Sequence, residues 1–224
     1  AIVLISALRP DPSALSIIDD EAFGGTGSSE PMTARSAFSQ PSVQLALVAM
    51  VIGQFVMVLI MTGTPIHIEN NGFGLTSVGN VISAHTLGMF AFAPLVGRAV
   101  DRVGPRSAIV ASAVVLATSA IMAAAAPVTA MTILTWALFL LGLGWNLGFV
   151  AGSTLLSVAV EPQVRPVVQG RVDSLVWATS AVASAGSGLL LAGPGYTFLS
   201  ILGAGLVGCI VIALVARRPV TATD

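Results

Sequence analysis

Six long apolar runs, parted by short polar turns, restrict this chain to a bundle of helices that cross a membrane. They fall near residues 44–66, 77–96, 107–126, 129–156, 167–193 and 196–216. At 1.5 Å per residue the first covers ~33 Å, enough to traverse a bilayer's hydrocarbon core. Hydrocarbon offers the backbone no hydrogen-bond partner, so each run has to satisfy its own amides as a helix. Only 8% of the residues are charged and lysine is absent, whereas a soluble domain carries roughly a quarter charged residues. The expected fold class is therefore an all-α polytopic membrane protein with six transmembrane helices. Turn signals delimit the runs. Pro65 and the polar stretch 67–74 should end the first, Pro127 the third and Gly193-Pro194-Gly195 the fifth.

The arginines orient the bundle. Gly97-Arg98-Ala99-Val100-Asp101-Arg102-Val103-Gly104-Pro105-Arg106 reads as a tight polar turn after the second run, too charged for hydrocarbon. If the segment before the first run lies inside the cell, the turns after runs two, four and six lie inside as well. Those inner segments hold Arg9, Arg35, Arg98, Arg102, Arg106, Arg165, Arg171, Arg217 and Arg218, which is every basic residue of the chain. The outer turns hold none, so the positive-inside bias predicts both ends of the bundle in the cytoplasm. Residues 219–224 would be a cytoplasmic tail.

The first part of the chain differs in character. Residues 1–8 look like the end of an apolar segment too short to span, the tail of a preceding, truncated helix. Residues 9–41 hold Pro10, Pro12, the acidic run Asp19-Asp20-Glu21 and a Gly/Ser/Thr/Pro-rich patch, and read as a flexible cytoplasmic linker. The expected chain is thus a piece of a longer one, with residues 42–218 as the bundle. Cys209 sits alone in an apolar run and reads as a small packing residue.

The basic turn resembles the signature loop of the major facilitator superfamily, roughly G-x-x-x-D-R-x-G-R/K-R/K. Gly97, Asp101, Arg102, Gly104 and Arg106 match it, and Pro105 stands where a basic residue is usual. The resemblance implies that this chain is the C-terminal six-helix half, joined through a central loop to an N-terminal six-helix half outside this sequence. It also implies a secondary transporter working by alternating access in the plasma membrane. By the same resemblance, charges at helix ends latch the halves together, with Glu161, Arg165 and Asp173 as candidates beside the loop; Asp173 would face the signature loop of the other half. Simple anchoring of helix ends by snorkelling arginines is the plainer alternative.

Polar residues deep in the runs mark a solute or proton path. His85 lies ~18 Å before Gly97 along the helix, near the midplane, and an imidazole changes protonation near neutral pH. Gln54 lies at mid-depth in the first run, and Asn146, beside Trp145, nearer the inner end of the fourth. Each could equally be a neutral group bonded across to a neighbouring helix. Two small-residue stripes at intervals of four suggest close helix packing or a sliding seam: Gly144, Gly148 and Gly152, then Ser180, Ser184 and Gly188.

The expected function is proton-coupled efflux of a small organic solute, with the proton as coupling ion, the lipid bilayer as surroundings, and no cofactor, metal or nucleic acid. An intramembrane enzyme is the weaker reading. Gly152-Ser153 lacks the setting of a nucleophile, and His85 is the only deep histidine. A six-helix subunit without transport activity is the other rival; six further runs upstream, with another such loop, would separate the two.

Overall fold

A computed structural model describes residues 32–127 and 129–216. Residues 1–31, Arg217 and Arg218, the tail 219–224 and the side chain of Cys209 lie outside the described residues, so the expectations placed on them are not addressed by it.

Among the described residues eight helices follow in order: α1 (Ala34–Ser39), α2 (Pro41–Asn70), α3 (Leu75–Phe90), α4 (Ala93–Val103), α5 (Pro105–Ala125), α6 (Met131–Ala159), α7 (Arg165–Ala192) and α8 (Gly195–Ala216). Five are long and apolar enough to cross a membrane, and α3 with α4, bent by 42° at their break, makes a sixth if the pair is taken as one span. The short α1, capped reciprocally by Thr33 and Ser36, leads into α2 within what sequence reads as linker.

Three local features depart from expectation. Pro65 does not end the first span. It sits inside α2, which runs on to Asn70. Proline removes the amide that would bond the carbonyl of Met61. The helix survives because its neighbour holds it: Thr64 Oγ1 donates to Ile60 O at 2.7 Å and accepts from Tyr196 Oη of α8 at 2.9 Å. The true end comes where the Asn71 side chain donates through Nδ2 to His67 O and Gly72 takes φ 81°, a left-handed conformation that glycine adopts without strain.

The second span is broken rather than continuous. Pro94, at the start of α4, has no amide for the carbonyl of Phe90, and Ala91-Phe92 form the break. The basic stretch is not a loop either. Gly97 to Val103 are helical, and the turn is a single residue, Gly104 at φ 84°, with Pro105 already the first residue of α5. The amphipathic pattern explains this: Val96 and Val100 are buried one turn apart, while Arg98, Asp101 and Arg102 face outward.

Contacts fix the directions of the spans. Gln54 meets Ser180 and Leu59 meets Gly186, so α2 and α7 run parallel. His85 meets Leu138 and Gly88 meets Phe139, while Ser77 and Met131 share one cavity, so α3 and α6 are parallel too. Antiparallel registers join α2 to α8 (Thr64–Tyr196, Val56–Gly203) and α5 to α6 (Ser112–Gly144, Ser119–Ala137). The start of α2 and the end of α8 therefore lie at the same end of the bundle.

Lipid is as apolar as leucine, so helix association rests on close fit and polar bridges rather than on burial. Glycine provides the fit. A Cβ on Gly88 would collide with the carbonyl oxygen of Phe139, and one on Gly142 with that of His85, so the backbones of α3 and α6 approach closely. Hydroxyls provide the bridges: Ser112 Oγ donates to Gly144 O and Ser119 Oγ to Ala137 O, each at 2.7 Å. Such bridges contribute about 0.6 kcal/mol each on average. The stripe of Gly144, Gly148 and Gly152 serves two neighbours, not one. The first two receive Leu116 and Ser112 of α5, and Gly152 receives Met50 of α2.

Candidate functional site

Helix α6 carries α2 on one side and α3 on the other, and the gap between those two forms a groove with α6 as its floor. Helices α2 and α3 both pack on α6 and touch each other only slightly. Helix α7 flanks α2, and α3 continues into α4 on the opposite side. Trp145 lies on this floor between the two walls, half-buried. Its Nε1 donates to Gln54 Oε1 of α2 at 2.6 Å, and the Phe90 ring of α3 meets it edge-on with centroids 6.5 Å apart. Phe149, one turn along α6, stacks on it at 5.2 Å and 28°.

Gln54 is 3% exposed, so it does not itself line the open groove, as its depth in the sequence suggested. It acts as a bracket. Indole nitrogen can only donate, which fixes the glutamine oxygen toward Trp145 and its amide nitrogen toward Ser180 Oγ of α7, at 2.8 Å. Ser180 Oγ in turn donates a hydrogen bond to Val176 O at 3.2 Å. Three helices are thereby joined through one side chain. Ser184 and Gly188, the rest of the small stripe on α7, are exposed, with nothing within 4 Å of a Cβ on Gly188.

His85 is buried between α3 and α6. Its Nδ1 lies 2.9 Å from Leu138 O, and a carbonyl only accepts, so Nδ1 carries the proton. Nε2 is then an acceptor, buried with no hydrogen-bond partner among the described residues. Asn146, 4% exposed, lies two turns beyond Leu138 on the same face of α6, and its Nδ2 is also buried without a described partner. Among the described residues, no hydrogen bond joins His85 or Asn146 to the Gln54–Trp145–Ser180 network.

At the opposite end of the spans the charged candidates stay separate. Arg106 Nη2 donates to Ser42 Oγ at 3.2 Å, tying the start of α5 to the start of α2. Glu161 accepts from the backbone amide of Met32 at 3.4 Å, and Arg165 donates to Val160 O at 3.2 Å. Asp173 accepts from Gln169 on its own helix at 3.5 Å, ~12 Å along α7 from its start. Asp101 and Arg102 are exposed and, among the described residues, make no ion pair with Glu161, Arg165 or Asp173. Gly97 and Gly104 leave open space around the positions a Cβ would take.

Comparison with known proteins places this arrangement. The model of the Major Facilitator Superfamily matches residues 13–224. The chain belongs to the major facilitator superfamily. Among curated relatives of this superfamily, it is 36% identical over 210 residues to "Uncharacterized MFS-type transporter YddS" of Bacillus subtilis (strain 168), covering 91% of this chain and 47% of that protein. It is 34% identical over 215 residues to "Uncharacterized MFS-type transporter YdeG" of the same organism, covering 96% and 50%. It is 29% identical over 178 residues to "Riboflavin transporter RfnT" of Brucella anthropi, covering 79% and 44%. The chain spans about half the length of these relatives. Membership and the long apolar helices support a multi-pass membrane protein. Within this superfamily chain, sequence reasoning found Gln54, His85 and Asn146 because each is a polar interruption of an apolar run. It treated Trp145 only as Asn146's neighbour and Ser180 only as packing.

Proposed function

We propose that this major facilitator chain is the C-terminal half of a secondary transporter that carries a small organic solute by alternating access, coupled to protons and directed outward across the plasma membrane. The observation that carries the reading is the groove floored by α6 and walled by α2, α7 and α3, with its polar bracket at mid-depth. A groove built this way is half a cavity, and the N-terminal six-helix half is the other wall. The exposed Ser184–Gly188 stripe on α7 offers that half a close-packing surface. The riboflavin transporter among the relatives supports a solute of small organic size. Asp101, Arg102 and Asp173, unpaired with one another here, are free to latch charges of the other half in one state and release them in the other. Glu161 and Arg165 brace this half's own helix ends, through Met32 before α1 and Val160 at the end of α6.

His85 is the proposed coupling residue. Its Nε2 has a lone pair and no hydrogen-bond partner among the described residues, so it takes a proton when one state of the cycle admits water, and loses it in the other. Both ends of the half face the cytoplasm in this scheme. The test is transport by the full-length protein in proteoliposomes under an imposed pH gradient, with riboflavin in a panel of small solutes. Solute movement is expected to follow the gradient, and His85→Ala to abolish that dependence. Unchanged pH dependence in the variant would remove His85 from the path.

A further inference from the structure

We propose that Trp145 is a stacking platform and that the solutes this site takes are flat heteroaromatic molecules, with Gln54 as the positioning residue that sets the platform. The inference rests on the groove being the solute face, and deepens it by naming the chemistry.

The argument starts from what is satisfied and what is left over. The only polar atom of the Trp145 ring is its Nε1–H, and Gln54 consumes it at 2.6 Å. No hydrogen-bond donor remains on the indole for a solute. What the half-buried ring still offers the groove is aromatic surface. Two more rings extend that surface from different helices. Phe149 lies nearly parallel, at 28°, and Phe90 stands at 75°. Phe90 is 60% exposed on α3, at the end of the helix that borders the break before Pro94.

A wall of three rings, one flat and fixed, favours a partner that is itself flat and polarisable. Offset stacking gains dispersion and quadrupole attraction over the whole ring area, which a puckered polyol or a spherical cation cannot match. Fixing the ring matters as much as having it. A free tryptophan loses rotamer entropy on stacking, whereas this one is already held by a buried amide that Ser180 holds in turn. Gln54 therefore acts through Trp145 and not by touching solute.

The experiment is calorimetric binding to the full-length protein in nanodiscs. The flat probes are lumiflavin, caffeine and proflavine; sorbitol and tetraethylammonium are the non-flat ones. At least one flat probe is expected to bind, and Trp145→Ala to weaken it at least about fivefold, with a smaller loss in Trp145→Phe, which keeps a ring. Gln54→Ala is expected to weaken the same probe in the native background and to add nothing in the Trp145→Ala background. Equal, independent losses from the two substitutions would overturn the positioning role. Binding of sorbitol or tetraethylammonium alone, insensitive to Trp145, would overturn the platform and leave the transporter reading intact. Flat probes that bind through Trp145 but never cross a proteoliposome membrane would uphold the platform and retire the transport reading.

Discussion

Gly88 and Gly142 show how single residues set this bundle. Each stands where a methyl group would strike a backbone oxygen across the α3–α6 interface, and backbone yields far less readily than a side chain. Gly88→Ala should therefore part the two helices and disturb the Nδ1 bond of His85 to Leu138, one turn away. The expected cost is roughly 1–3 kcal/mol, read as a lower midpoint in thermal denaturation of the detergent-solubilised full-length protein. Gly205→Ala on α8, exposed and with open space around it, should not lower that midpoint. Residues of this kind differ in how legible they are. His85 and Gln54 announce themselves in one dimension, because a polar group in a run of hydrocarbon needs a reason. Trp145 does not. Its partner is 91 positions away, and an aromatic residue in an apolar helix has the same appearance whether it packs or serves a site. Likewise Gly144, Gly148 and Gly152 read as one face by spacing, yet α6 is in contact with both α5 and α2 along that face.

At the scale of elements, prolines decide the shape of the walls, and they do so in opposite ways. Pro65 stays within a continuous helix because Thr64 and Tyr196 tie α2 to α8 just where the amide is missing. Pro94 breaks its span, and no comparable bridge joins the α3–α4 break to a neighbour among the described hydrogen bonds. Pro94→Ala restores an amide for Phe90 O and should straighten the pair. The separation between spin labels at Gly79 and Ala99, measured by pulsed electron paramagnetic resonance, is expected to lengthen; an unchanged separation would assign the 42° bend to packing instead. The same change should move Phe90 relative to Trp145. In sequence, the runs showed where helices lie but not whether a proline would bend or interrupt them. That depends on which neighbour can supply a hydrogen bond, and the neighbour is set by tertiary packing. The basic stretch is the clearest case: its charges suggested a loop, while the spacing of Val96 and Val100 was already that of an amphipathic helix.

For the whole molecule, six crossings were legible because hydrocarbon imposes one length and one polarity on every span, and arginine marks one side. The order of packing was not, since α2 joins α6, α7 and α8 through contacts between residues far apart in the chain. The registers now place the start of α2 and the end of α8 together, which agrees with an even number of crossings. Which side that end faces carries every functional claim: the latch residues, the depth of the groove and the path of the proton all follow from it. The most direct measurement is membrane-impermeant thiol labelling of Arg102→Cys and Asn71→Cys, each in a full-length protein otherwise free of cysteine, in intact cells. The account predicts that Asn71→Cys reacts in intact cells and Arg102→Cys only after the membrane is permeabilised; Arg102→Cys labelled in intact cells, with Asn71→Cys protected, would contradict it.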